Sequence, residues 1–142
     1  MTAQVEGRRH KDAVRSAVRS QKSVAPSVSY VVLRSWARCL DEYGLDPASQ
    51  EESVSVSRRE LGERQERLGD LLDIAKVEMN NLFQQVAATG YAIVLTDPEG
   101  VILHQVSDPE LTQEVRDHGL RPGAVWAETA EGTNGIGTCL VE

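Results

Sequence analysis

Apolar residues recur at three- and four-residue intervals over two stretches of this chain, then give way to continuous runs. The first periodic stretch predicts a helix from about Val28 to Tyr43, with Ser27 as N-cap after Pro26. Leu33, Trp36, Leu40 and Tyr43 share its face. Gly44 then fits a left-handed C′ position, and Asp46-Pro47 prevents continuation. A Ser/Glu-rich linker covers residues 48–56. Ser57 and Glu60 next form a capping box, with Val56 and Leu61 as its hydrophobic staple. From there Leu61, Gln65, Leu68, Leu72, Ala75, Met79, Leu82 and Val86 hold one seam, which Leu71, Ile74 and Phe83 widen. A long amphipathic helix over 57–89 follows, and so narrow and long a seam suits a coiled coil or bundle. Its last turns are expected on a sheet and its first turns on a partner helix. Gln65, the polar seam position, is placed to fix register.

The period changes at Gly90. Tyr91–Thr96 is nearly all apolar, as expected for a strand covered on both faces. Asp97-Pro98-Glu99-Gly100 has the residue order of a type I turn, and Val101–Val106 returns, giving a hairpin over 91–106. A short helix over 108–118 follows, with Pro109 at its first position, Leu111 and Val115 inside and Gly119 ending it. The fold class is therefore α+β: N-terminal helices, one long helix, a β-hairpin and short helices.

Charge changes this picture at one end only. Residues 1–40 hold eight Lys/Arg against two Asp/Glu, the remainder seven against twenty, so the net −7 divides into +6 and −13. A part that acidic is a poor binder of phosphate backbones. Residues 1–26, where Lys11, Arg15, Arg19 and Lys22 share a helical face, read as a basic flexible arm. No apolar run is long enough to span a bilayer. The two cysteines, Cys39 and Cys139, stand far apart without metal-ligand spacing, which suits free thiols in the cytoplasm.

Candidate chemistry concentrates in the last stretch, Ala124–Leu140. Gly132, Gly135 and Gly137 fall among small polar residues, and Thr133 or Asn134 is placed to cap a short helix. Closely spaced glycines imply close backbone approach. Two readings stand: tight packing of the turn on a sheet, or a pocket walled by N–H groups at the helix start. No nucleophile–base–orienter set, no Gly-Lys-Ser/Thr phosphate loop and no basic recognition helix can be assembled. The expectation is a protein that is not an enzyme, with no catalytic residue, cofactor or metal.

Two blocks carry a resemblance. Ser35-Trp36-Ala37-Arg38-Cys39 with Tyr43-Gly44-Leu45-Asp46-Pro47, and Trp126-Ala127-Glu128 with Gly132-Thr133-Asn134-Gly135-Ile136-Gly137-Thr138-Cys139-Leu140, resemble the N-terminal GAF sensor domain of acetoin-catabolism-type activators of sigma-54-dependent transcription. The likeness covers about residues 27–142. It gives no counterpart for the basic arm at 1–26, and implies an N-terminal helix and linker at 27–56 and a partial GAF domain at 57–142 ending in the Gly-Thr-Asn-Gly element at 132–140. A GAF fold is a six-stranded antiparallel sheet with helices on its faces, so the likeness also implies later strands that this sequence does not supply. Carried over by position, the ligand-side candidates are Trp126, Glu128, Thr133, Asn134 and Cys139, while Gly132, Gly135, Gly137 and Trp36 are structural. The implied role is a regulatory module that binds a small effector and sets oligomer state, as a homodimer through the long helix. DNA and sigma-54 polymerase would be contacted only through domains absent from this sequence, and no membrane is involved. The alternatives are a helical dimerisation scaffold without ligand and a GAF-fold thiol redox enzyme. The last needs a reactive cysteine, and neither Cys39 nor Cys139 has a cluster of positive charge nearby.

Overall fold

The computed structural model of the protein describes residues 12–16, 18, 29–47, 53–86, 90–109 and 112–142. Most of the basic arm, the expected helix start at Ser27–Val28, most of the linker and the expected helix end at 87–89 lie outside the described residues. The chain divides into two compact units: Ser53–Trp126, and the residues up to Glu52 together with Ala127–Glu142. Among the described residues no helix is long and apolar enough to cross a membrane.

The Ser53–Trp126 unit begins as the capping box predicts, with Ser57 Oγ accepting from the Glu60 N–H at 3.2 Å. The single helix expected over 57–89 is instead two. Helix α2 spans Arg58–Leu68 and α3 spans Asp70–Val86, following α1 of the other unit at Tyr30–Ala37. Gly69 separates them at φ +50°, a conformation that side chains with a Cβ rarely adopt. Asp70 and Asp73 then suit the positive start of α3. The seam survives the break. Leu72, Met79 and Phe83 are buried, and Leu61, Gln65, Leu68, Ala75 and Val86 half-buried. Leu82, expected in the seam, is exposed, and Phe83 takes its place.

Both helices pack on the hairpin of their own unit. Strand β1, Ala92–Thr96, pairs antiparallel with β2, Ile102–Ser107, from Ala92↔Ser107 to Thr96↔Ile102, with a bulge at Leu95/Thr96. The seam's Gln65 is spent within the unit: its Nε2 donates to the Leu103 carbonyl at 2.8 Å. The turn is fixed by Asp97, whose Oδ1 accepts from the Glu99 and Val101 N–H groups. Arg64 clamps it from α2, at 2.6 Å from Asp97 and 2.8 Å from Glu60.

The burial of the two strands reverses the sequence expectation. β1 is half-buried throughout, whereas Ile102 and Leu103 are 0% exposed. The reason is a further extended segment. Ile102 N–H donates to the Ala124 carbonyl and Gly123 N–H to that of Ile102, while Val56 and Val125 link this segment to residues 53–56. Gly123 sits at φ +91° with Val56 and Leu61 against it, so both its conformation and its missing side chain are used. Helix α4, Thr112–Asp117, lies between β2 and this segment in the chain. Among the described residues the named strands form a two-stranded sheet.

The other unit holds helical residues 12–16, α1, and two short helices, α5 at Glu128–Glu131 and α6 at Gly137–Val141. The first helix does not end as an α-helix. Arg38–Glu42 widens into a π turn, closed by Tyr43 N–H to the Arg38 carbonyl and Leu45 N–H to that of Cys39. Gly44 takes the expected left-handed conformation at φ +67°. Ser35 is fully buried here and Cys39 buried, with the predicted face members Leu33, Trp36, Leu40 and Tyr43 half-buried.

Candidate functional site

The π turn matters because it carries Arg38, Cys39 and Leu40 toward the segment 128–133. Widened turns of this kind recur at functional sites in helices. A cavity of about 270 Å³ opens between these elements. Trp36, Leu40, Leu45 and Pro47 give it apolar wall, and Cys39, Thr133, Glu131 and Asp46 contribute polar groups.

Beneath Thr133 lies a buried polar cluster. The Glu128 carboxylate, 1% exposed, takes two parallel bonds from Arg38: Nε to Oε2 and Nη2 to Oε1, each 3.0 Å. Ser35 Oγ donates to Oε1 at 2.5 Å. The same Ser35 oxygen lies 2.6 Å from Thr133 Oγ1 and 3.2 Å from Thr138 Oγ1. Arg38 also reaches Glu142 at 2.8 Å, and Arg34 reaches it at 3.1 Å. Burial pushes the Glu128 carboxyl up. Hydrogen bonds from Arg38, Ser35 and Thr138, with the Arg38 charge, overcome this and hold it at about 2. The same bonds, Glu128 first and Glu142 second, raise the Arg38 guanidinium above its ordinary value. Among the described residues every buried side-chain nitrogen and oxygen has a hydrogen-bond partner.

The sequence candidates separate in space. Thr133 lines the cavity. Glu128 lies beneath it as the anchor of the cluster. Asn134 is a capping residue: its Oδ1 accepts from the Ile136 and Gly137 N–H groups at 2.9 and 2.8 Å, and its Nδ2 donates to the Gly132 carbonyl. Those two N–H groups are therefore spent on the cap rather than offered to a ligand. Cys139 is an exposed thiol on α6. Trp126 belongs to the Ser53–Trp126 unit, where its Nε1 donates to the Gly119 carbonyl at 3.1 Å. Of the structural set, Gly132 takes φ +70° at the end of α5, and Gly137 is buried. A Cβ on Gly135 would meet open space. Trp36 forms cavity wall.

Ser35, Arg38 and Cys39 were missed as site residues. Polar residues on an amphipathic helix read as its wet face, and only Ser35 and Cys39 falling four apart hinted at a second, small-residue face. Among the described residues no group of three or more His, Cys, Asp or Glu is arranged to hold a metal ion.

This chain is similar to parts of known transcriptional regulators. It is 37% identical over 110 residues to the acetoin catabolism regulatory protein of Cupriavidus necator, covering 78% of this chain and 16% of that protein. It is 28% identical over 130 residues to the acetoin dehydrogenase operon transcriptional activator AcoR of Bacillus subtilis, covering 92% of this chain and 20% of that one. A signal-transduction and transcriptional-control protein of Clostridium beijerinckii is 32% identical over 72 residues, or 51% of this chain and 11% of that protein. The chain is thus a homologue of part of the acetoin-type transcriptional regulators. It spans a fifth or less of the length of these relatives. No family model matches it, and no solved structure matches it.

Proposed function

We propose that this chain is the GAF-type sensory module of a sigma-54-dependent transcriptional activator, that it binds a small effector in the cavity beside Thr133, and that the effector biases its oligomer state. The observation that carries this reading is the joining of the two motif blocks. Ser35, Arg38 and Cys39 of the first meet Glu128, Thr133 and Thr138 of the second, and Cys39 and Thr133 of this cluster line a cavity of about 270 Å³. Contacts with DNA and polymerase would fall to other parts of such a regulator. The relatives' names describe regulators and not enzymes, in keeping with a module that transmits a signal.

A second reading, a helical dimerisation scaffold without ligand, draws on α3. Leu71, Ile74, Val77 and Leu82 are exposed there, away from the seam buried on the hairpin. A second copy packing on that side would make the homodimer.

The test is a screen of small metabolites against the full chain, acetoin first, read by the NMR signals of Trp36, Cys39 and Thr133 and by sedimentation. Shifts at those three residues with a change in sedimentation are expected. A dimer that never changes with any ligand, and a ligand that moves none of the three, would favour the scaffold.

A further inference from the structure

The cavity's preference follows from counting protons along its polar wall. Glu128 is ionised, so its oxygens only accept. Ser35 has one hydroxyl proton and gives it to Glu128 Oε1. The Ser35 and Thr133 oxygens are 2.6 Å apart, a separation that requires a proton between them. Ser35 has none left, so Thr133 supplies it. The Cys39 sulfur, 3.7 Å from Thr133 Oγ1, then meets an oxygen with lone pairs only, and its S–H points there. The chain of bonds runs one way: Cys39 S–H to Thr133, Thr133 O–H to Ser35, Ser35 O–H to Glu128.

We propose that Thr133 is a specificity-determining residue locked as a hydrogen-bond acceptor, and that the cavity therefore takes a small molecule whose apolar body packs on Trp36, Leu40, Leu45 and Pro47 and which offers a hydroxyl or amine hydrogen to Thr133 Oγ1. This rests on the reading of the cavity as the effector site. Glu131 in the lining agrees in sign, since it adds a carboxylate acceptor. A carbonyl-only ligand would face acceptor against acceptor, and unpaired polar contacts of this kind are what selective sites use to reject analogues.

The probes are cyclopentanol and cyclopentanone, which share a shape and differ in having a donor. Binding to the full chain is followed by NMR at Trp36, Cys39 and Thr133. The alcohol is expected to bind about tenfold more tightly than the ketone. Thr133→Ser should keep that preference, and Thr133→Val, folded by the same spectra, should abolish it. A ketone that binds as tightly as the alcohol while moving the same three signals would overturn the donor rule and leave the cavity as the effector site. A preference that persists unchanged in Thr133→Val would overturn the role of Thr133. If neither probe moves any of the three signals up to its solubility limit, the effector-site reading falls and the donor rule with it.

Discussion

Arg38 grips Glu128 with two parallel bonds of 3.0 Å, tying the π turn of one motif block to the helix start of the other. The fork geometry matches guanidinium to carboxylate. A buried pair of this kind adds little stability over an apolar pair, yet breaking it is costly, because one charge is left without a partner. Arg38→Met should therefore destabilise the protein more than Glu128→Gln, since Glu128 is the more deeply buried and Arg38 keeps Glu142. Losses of roughly 3–5 and 1–3 kcal/mol are expected. Urea unfolding of both variants and of the double variant measures the coupling. Additive losses would show that the two side chains do not act as a pair.

The same carboxyl sets a pH dependence. Its value in the folded state, about 2, lies below its ordinary 4.5. Glu128 therefore stabilises the fold fully above about pH 4.5, and the contribution disappears as pH falls from there to about 2. Its size is about 3 kcal/mol. His104 behaves alike at higher pH. Burial first, and Lys76 second, lower its imidazole from 6.5, so stability is lost as pH falls below that value. Denaturation midpoints from pH 8 to 2 should show a shallow fall that His104→Gln removes and a steeper acid fall that Glu128→Gln removes. An acid fall unchanged by Glu128→Gln would disprove the first assignment.

Gly69 tests the break between α2 and α3. At φ +50° any other residue is strained, so Gly69→Ala should cost about 1–2 kcal/mol despite alanine's helix preference. Were the break only a tolerated interruption, the variant would gain helix content by circular dichroism and melt at a higher temperature.

How much of this was legible depends on whether a residue's partner is near it in sequence. The capping box at Ser57, the seam from Leu61 to Val86, the Asp97 turn and the left-handed Gly44 are local, and their residue types announce them. Gly69 was visible too, but the apolar spacing runs through it undisturbed and hides the break. The buried strand was misjudged because the cover of Ile102 and Leu103 comes partly from Gly123–Val125, beyond a whole helix of intervening sequence. At the site, Thr133 and Glu128 could be picked from their motif. Their true partners, Ser35 and Arg38, lie ninety or more residues earlier and look like surface residues there. The π turn that aims Arg38 has no residue signature in Arg38–Glu42.

The last prediction separates the two faces of α3. Leu72 is 6% exposed and Leu71, its neighbour in sequence, 60%. A charge at position 72 would lie in the core formed with the hairpin, without a counter-ion. Burying it costs several kcal/mol, so Leu72→Asp should unfold the Ser53–Trp126 unit at room temperature or lower its melting point steeply. Leu71→Asp places the same charge in water and should leave the melting point within a few degrees. If a second copy packs on Leu71, Ile74 and Leu82, sedimentation of Leu71→Asp should show a folded monomer where the unaltered chain is a dimer, because that charge would then be buried only on association. Circular dichroism and sedimentation on the same samples keep the two effects apart. A folded Leu72→Asp protein would mean that the seam does not hold the hairpin. A dimer indifferent to Leu71→Asp and also to Ile74→Asp would mean that the copies meet elsewhere.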